Sequence, residues 1–154
     1  MPRKKTASFA RLVTPDPKYS STIVESICRK IMIDGKKAKA QSIVWKAMEM
    51  IEAETSTDPV SVLEAAIANL TPINTLRRTK VGGANHQVPV LASSRKGSII
   101  ATRFLIKAVR ARGERSFSER FVKEVIDASR KLGIAYKEIE GHKKTVEANR
   151  AFAR

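Results

Sequence analysis

Apolar residues recur every three or four positions from Tyr19 onward. Ile23, Ile27 and Ile31 stand four apart with Val24 and Cys28 beside them, the spacing of one helix face. Asp34-Gly35 closes that helix, since glycine suits the left-handed position after a C-terminus. Ala40, Ile43, Val44, Ala47 and Ile51 mark the inner stripe of a second helix. Asp58-Pro59 opens a third. Asp58 suits the N-cap, where its carboxylate accepts from unpaired amides, and proline at the first helical position loses no hydrogen bond. Val62, Leu63, Ala66, Ile67 and Leu70 form its inner face.

The period changes after Pro72. Ile73 to Val81 and Gln87 to Ala92 read as two strands, joined by a tip of several residues from Gly82 to His86. Pro89 has no amide to donate, so its strand is an edge. Helical spacing resumes near Lys96 and runs to Arg112, with Ala101, Leu105, Ala108 and Val109 facing inward and Gly113 ending it. Ser116-Phe117-Ser118-Glu119 fits a capping box, with Phe121, Val122, Val125 and Ile126 on the inner face that follows and Gly133 as the stop. A last, mostly polar helix spans roughly Lys137 to Ala151. The expected fold is mainly α: a single domain of about six helices with a protruding β-hairpin arm at about 73–92. Residues 1–18 read as a basic N-terminal tail and 19–154 as the domain; Arg3, Lys4, Lys5 and Arg11 precede the first acid, and Pro15-Asp16-Pro17 disfavours helix.

Charge changes this picture from a generic helical domain to a binder of anions. Thirty Lys and Arg face fifteen Asp and Glu, a formal +15. Self-repulsion at that charge is relieved by an anionic partner: nucleic acid, an anionic membrane or acidic proteins. Cys28 stands alone, so no internal disulfide forms, which suits a reducing compartment. No apolar run approaches the ~18 residues of a spanning helix, and no apolar segment follows Met1 to Lys5, so neither a membrane span nor a secretory leader is expected.

The charge is also unevenly placed. No acid occurs between Glu64 and Glu114, and that interval carries Arg77, Arg78, Lys80, Arg95, Lys96, Arg103, Lys107, Arg110 and Arg112. At 3.6 residues per turn, Lys96, Arg103, Lys107 and Arg110 fall within about 60° of one another. Like charges so stacked repel by roughly 0.2–0.5 kcal/mol per adjacent pair, and a phosphate backbone along the stripe reverses the sign. The ribbon, which could be merely solvated if taken alone, extends the same acid-free run and fits a nucleic-acid groove. Lys36-Lys37-Ala38-Lys39 opens a helix with cations, against its dipole.

Signs of catalysis are lacking. His86 and His142 are far apart, Cys28 has no partner, Gly82-Gly83 is not followed by Gly-Lys-Ser/Thr, and no Gly-x-Ser-x-Gly occurs. Trp45, Phe104 and Phe117 read as core or half-buried aromatics. An enzyme, a metal site and a cofactor are not expected. The remaining readings are an RNA organiser and an architectural DNA binder whose ribbon enters the minor groove, with membrane binding weaker.

Several stretches together resemble the small-subunit ribosomal protein seven family, bacterial and organellar type. They are Asp16-Pro17-Lys18-Tyr19, Ile33-Asp34-Gly35-Lys36-Lys37, Val81-Gly82-Gly83 leading to Gln87-Val88-Pro89-Val90, and Glu147-Ala148-Asn149-Arg150-Ala151-Phe152-Ala153. Their order and spacing span nearly the whole chain. The resemblance implies six helices with a hairpin arm, and primary binding to the 3′ major domain of small-subunit rRNA that nucleates head assembly. Combined with the charge pattern, it implies rRNA contacts from Arg3, Lys4, Lys5, Arg11, Lys36, Lys37, Arg77, Arg78, Lys80, Arg95, Lys96, Arg103, Lys107, Arg110 and Arg115. It implies that Gly82, Gly83, Asn85, His86, Lys143, Lys144 and Arg150 lie near exit-site tRNA and mRNA. Small-subunit ribosomal proteins nine and eleven are the implied neighbours, and a ribosome of the bacterial cytoplasm, chloroplast stroma or mitochondrial matrix the implied location. The chain departs from the family pattern at Thr79-Lys80 (usually paired arginines), at Phe104 (commonly Trp) and at His142-Lys143, where the histidine comes one position early.

Overall fold

The structure, a computed structural model, describes residues 14–81 and 83–152. The elements run α1 (Thr22–Ile31), α2 (Lys37–Thr55), α3 (Pro59–Leu70), β1 (Asn74–Val81), β2 (Ala84–Leu91), α4 (Ser94–Ala111), α5 (Phe117–Ser129) and α6 (Gly133–Ala148), then a 3-10 turn at Arg150–Phe152. The expected architecture, mainly α with one hairpin arm, is the one observed.

The helix starts follow the local chemistry. Asp58 caps α3 by accepting from the Val60 and Ser61 amides, with Pro59 at the first helical position. Ser116 accepts from the Glu119 amide at the head of α5. Ser21 caps α1 through the Ile23 amide, so α1 begins at Thr22 rather than Tyr19. The helix ends at Ile31, ahead of the Asp34-Gly35 turn.

Three further differences from the sequence reading are larger. Gly133 does not end α5; it begins α6, four residues ahead of Lys137. Its φ of +90° and the space it occupies explain this: a Cβ there would meet Glu124 Oε1 at 2.9 Å and Asp127 Cβ at 3.0 Å. The paired strands are separated by two positions rather than five. Val81 pairs with Ala84, Lys80 with Asn85 and Thr79 with His86, so Asn85 and His86 are strand residues. The third difference lies at the N-terminal edge of the body. Asp16 is buried and its carboxylate accepts from the Lys18 and Tyr19 amides and from Trp45 Nε1 at 3.1 Å. Asp16 and Lys18, read as the end of the tail, are thereby held on α2, with Lys18 also paired to Glu49.

The core is a single cluster fed by every helix. Val24, Ile27, Cys28, Met48, Ile51, Leu63, Leu70, Leu105, Phe121, Val125 and Ile139 are fully buried in it, while Val62 and Ile126 are only half-buried against it. Burying such a side chain contributes roughly 1.5–3 kcal/mol. The hairpin contributes none of these residues. It stands on the body through contacts of β1 with α6 and of β2 with the 3-10 turn.

Candidate nucleic-acid interface

Helix α4 has two opposed faces. Ala101, Leu105, Ala108 and Val109 are fully buried, whereas Lys96, Arg103, Lys107 and Arg110 are exposed, as the periodicity predicts. Arg95 and Lys96 stand exposed in the first turn, which has no acid, and Ser93 makes no side-chain cap hydrogen bond. Cations there oppose the helix dipole, so the turn favours an anion in front of it.

Lys30 of α1 joins this face. Its Nζ donates to the Ile99 carbonyl at 2.8 Å. Burial, and after it the charge of Arg103, pushes its pKa down to about 8. The sequence reading missed Lys30 because it lies outside the acid-free interval; the available signal was the Arg29-Lys30 pair in the last turn of α1.

Some of the predicted cations already pair with carboxylates. Lys37 Nζ donates to Glu25 Oε1 at 2.9 Å, as does Arg29 Nε. Burial alone would raise the Glu25 pKa, but the hydrogen bonds from Lys37 and Arg29 bring it below the usual carboxylate range. Lys37 therefore joins α2 to α1, and the misfit of a lysine at a helix start is resolved within the protein. Lys107 pairs with Glu138 of α6 at 2.8 Å. Arg112 is held by Glu124 at 2.8 Å and by Asp127, within the body. By contrast, Lys36, Lys96, Arg103, Arg110 and Arg115 are exposed and pair with no carboxylate among the described residues.

The hairpin carries Arg77, Arg78 and Lys80 exposed on β1. Their cross-strand partners are Val88, Gln87 and Asn85, so no opposite charge neutralises them across the ladder. Strand alternation puts Arg78 and Lys80 on one face and Arg77 on the other. Gly83 takes a φ of +85°, which the two-residue turn demands. An eight-residue strand reaches about 26 Å at ~3.3 Å per residue.

The second predicted set divides between the two ends of this arm. Gly83 and Asn85 are at or beside the tip, and His86 follows on β2. Lys143 and Arg150 instead line a groove of about 620 Å³ between the hairpin base and α6, together with His142, Val90 and Leu91. Lys144 is exposed on α6 outside that groove. His142 packs edge-on against Phe104, with ring centroids 5.9 Å apart, and burial lowers its pKa. Arg3, Lys4, Lys5, Arg11 and Gly82 lie outside the described residues.

Among the described residues, no group of three His, Cys, Asp or Glu could hold a metal ion, and no helix is long and apolar enough to cross a membrane. What the geometry provides is a set of exposed cations on α4 and the ribbon that, Lys107 apart, pair with no carboxylate among the described residues, suited to a polyanion. The family model for ribosomal protein S7p/S5e matches residues 2–150. A helical body with a basic arm, matched over nearly its whole length, makes this chain a member of the ribosomal protein S7p/S5e family and so a ribosomal, RNA-binding protein.

Proposed function

We propose that the chain is a non-catalytic organiser of small-subunit rRNA, binding the 3′ major domain early and nucleating assembly of the subunit head. The observation that carries this reading is the exposed row Lys96, Arg103 and Arg110 on α4, continued by Arg77, Arg78 and Lys80 on the arm. Such a surface neutralises phosphates and releases counterions. Shape and 2′-hydroxyl contacts, rather than a groove base code, would select the RNA. Arg3, Lys4, Lys5, Arg11, Lys36, Arg95 and Arg115 extend the rRNA contacts, while Lys37 and Lys107 contribute less because carboxylates already hold them.

The hairpin tip and the surface bearing Lys143, Lys144 and Arg150 are the parts proposed to approach exit-site tRNA and mRNA. Small-subunit ribosomal proteins nine and eleven are the proposed neighbours, on a ribosome of bacterial or organellar type. Competition binding tests the reading. A folded fragment of the 3′ major domain should displace duplex DNA from the protein at physiological salt. Equal affinity for both, or a preference for the DNA, would reduce the surface to a generic polyanion binder.

A further inference from the structure

A smaller pocket lies at the Arg110 end of the α4 row, where the turn after α1 meets the starts of α2 and α5. Its volume is about 330 Å³. That is the lower end of the ~300–1,000 Å³ range of ligand pockets, room for one base rather than a helix. Ile33, Ile43 and Phe117 supply apolar walls. Ile33 is 67% exposed, unusual for an isoleucine with no partner to cover it. Phe117 is held in place by stacking on Phe121 at 6.4 Å.

The rim is cationic. Lys36, Lys39 and Arg110 line the same pocket, and none of them pairs with a carboxylate among the described residues. Arg110 is also the last cation of the α4 row, so the pocket adjoins the surface proposed to follow the phosphate backbone. Apolar walls inside a ring of unpaired cations complement a flat base attached to phosphates. They do not complement an aliphatic ligand, which needs no cations, or a duplex, which offers no free base. One carboxylate, Asp34, lines the pocket without a hydrogen-bond partner among the described residues. It repels phosphate but accepts from base amino and imino groups, and guanine presents two such donors side by side.

We propose that this pocket takes one unpaired nucleotide extruded from the bound RNA, its base against Ile33, Ile43 and Phe117, its phosphates on Lys36, Lys39 and Arg110, and Asp34 favouring guanine. The inference rests on the rRNA-binding reading above and adds a base-specific contact to it.

The test uses the full chain and the 3′ major domain fragment, with Ile33→Ala, Lys39→Gln and Asp34→Asn variants. Ile33 is exposed, so its truncation should leave the thermal midpoint unchanged. I33A should weaken fragment binding by about tenfold, the scale of one lost base contact. It should leave the salt dependence unchanged, because no charge is removed. K39Q should lower the salt slope by about 0.7–0.9. With guanosine monophosphate as probe, Ile33 and Ile43 methyl resonances should shift more than with uridine monophosphate, and D34N should erase that difference. Binding of I33A within about twofold of the unaltered chain, or methyl shifts equal for both nucleotides, would overturn the pocket while the rRNA reading stands. Failure of the unaltered chain to prefer the fragment would overturn both.

Discussion

Lys30 in α1 and Arg112 at the C-cap of α4 are both cations, and their surroundings give them opposite roles. Arg112 donates from Nε to Glu124 and from its terminal nitrogens towards Asp127 and Glu114. Glu124 is 0% exposed and also accepts from the Ala135 amide at 2.6 Å, tying α4, α5 and α6 together. Arg112→Ala would leave that buried carboxylate without its cationic partner, which costs about 3–5 kcal/mol. Denaturant unfolding should show a loss on that scale, and a loss below about 1 kcal/mol would contradict the pairing. Lys30 instead carries a charge that the fold disfavours. Its folded pKa, about 8, lies below the ordinary 10.5, so between these values the unfolded chain holds more protons than the folded one. Its contribution therefore makes stability rise with pH across that window. A phosphate beside Lys30 and Arg103 would return the pKa upward, so RNA binding near pH 8.5 should take up protons. Calorimetry in buffers of different ionisation enthalpy checks this; no uptake, or release, would mean that phosphate does not reach Lys30. Neither role was legible in the sequence. Arg112 stood in the same acid-free interval as the surface cations, and only the fold brings Glu124 and Asp127 against it.

Helices were legible because caps and periodicity agree along most of them. Asp58-Pro59 and Ser116 head α3 and α5 as their side chains allow. The start of α6 was misplaced because Gly133 carries the usual signal of a helix stop, whereas here its positive φ serves close packing on Glu124. The hairpin tip was read too long because Ala84, Asn85 and His86 have weak strand propensity. Ladder pairing with Val81, Lys80 and Thr79 overrides that weakness. The arm's independence from the core leads to a prediction. Gly83→Ala places a side chain at φ +85°, costing about 1–2 kcal/mol, yet a Cβ there touches nothing within 4 Å. Amides near the tip should therefore exchange roughly fivefold faster or more, with an unchanged global melting temperature. A melting temperature lowered by several degrees would show that the arm is part of the cooperative unit. Along α4, Lys107→Gln should reduce the salt dependence of RNA binding less than Arg103→Gln, because Glu138 already pairs with Lys107. Equal reductions would mean that this ion pair opens on the RNA.

At the scale of the whole molecule, the formal charge of +15 is divided by the fold into two populations. Cations such as Arg29, Lys37 and Arg112 are spent on carboxylates that join helices. Those on the outer face of α4 and on β1 meet no carboxylate across the arm or along the stripe, apart from Lys107. The charge count in the sequence announced a polyanion binder but could not divide these populations, because carboxylates distant along the chain pair with the first group only after folding. The pocket between Ile33 and Phe117 was likewise invisible, since 84 positions separate its walls. The central claim is that the unpaired population is the RNA-binding surface. A salt titration of binding to the 3′ major domain fragment tests it most directly, comparing the unaltered chain with the combined Lys96→Gln, Arg103→Gln and Arg110→Gln variant. The account predicts steep salt dependence for the unaltered chain, and a slope smaller by about 0.7–0.9 for each of the three charges in the variant, with the fold intact. A variant whose slope and affinity match those of the unaltered chain would contradict it.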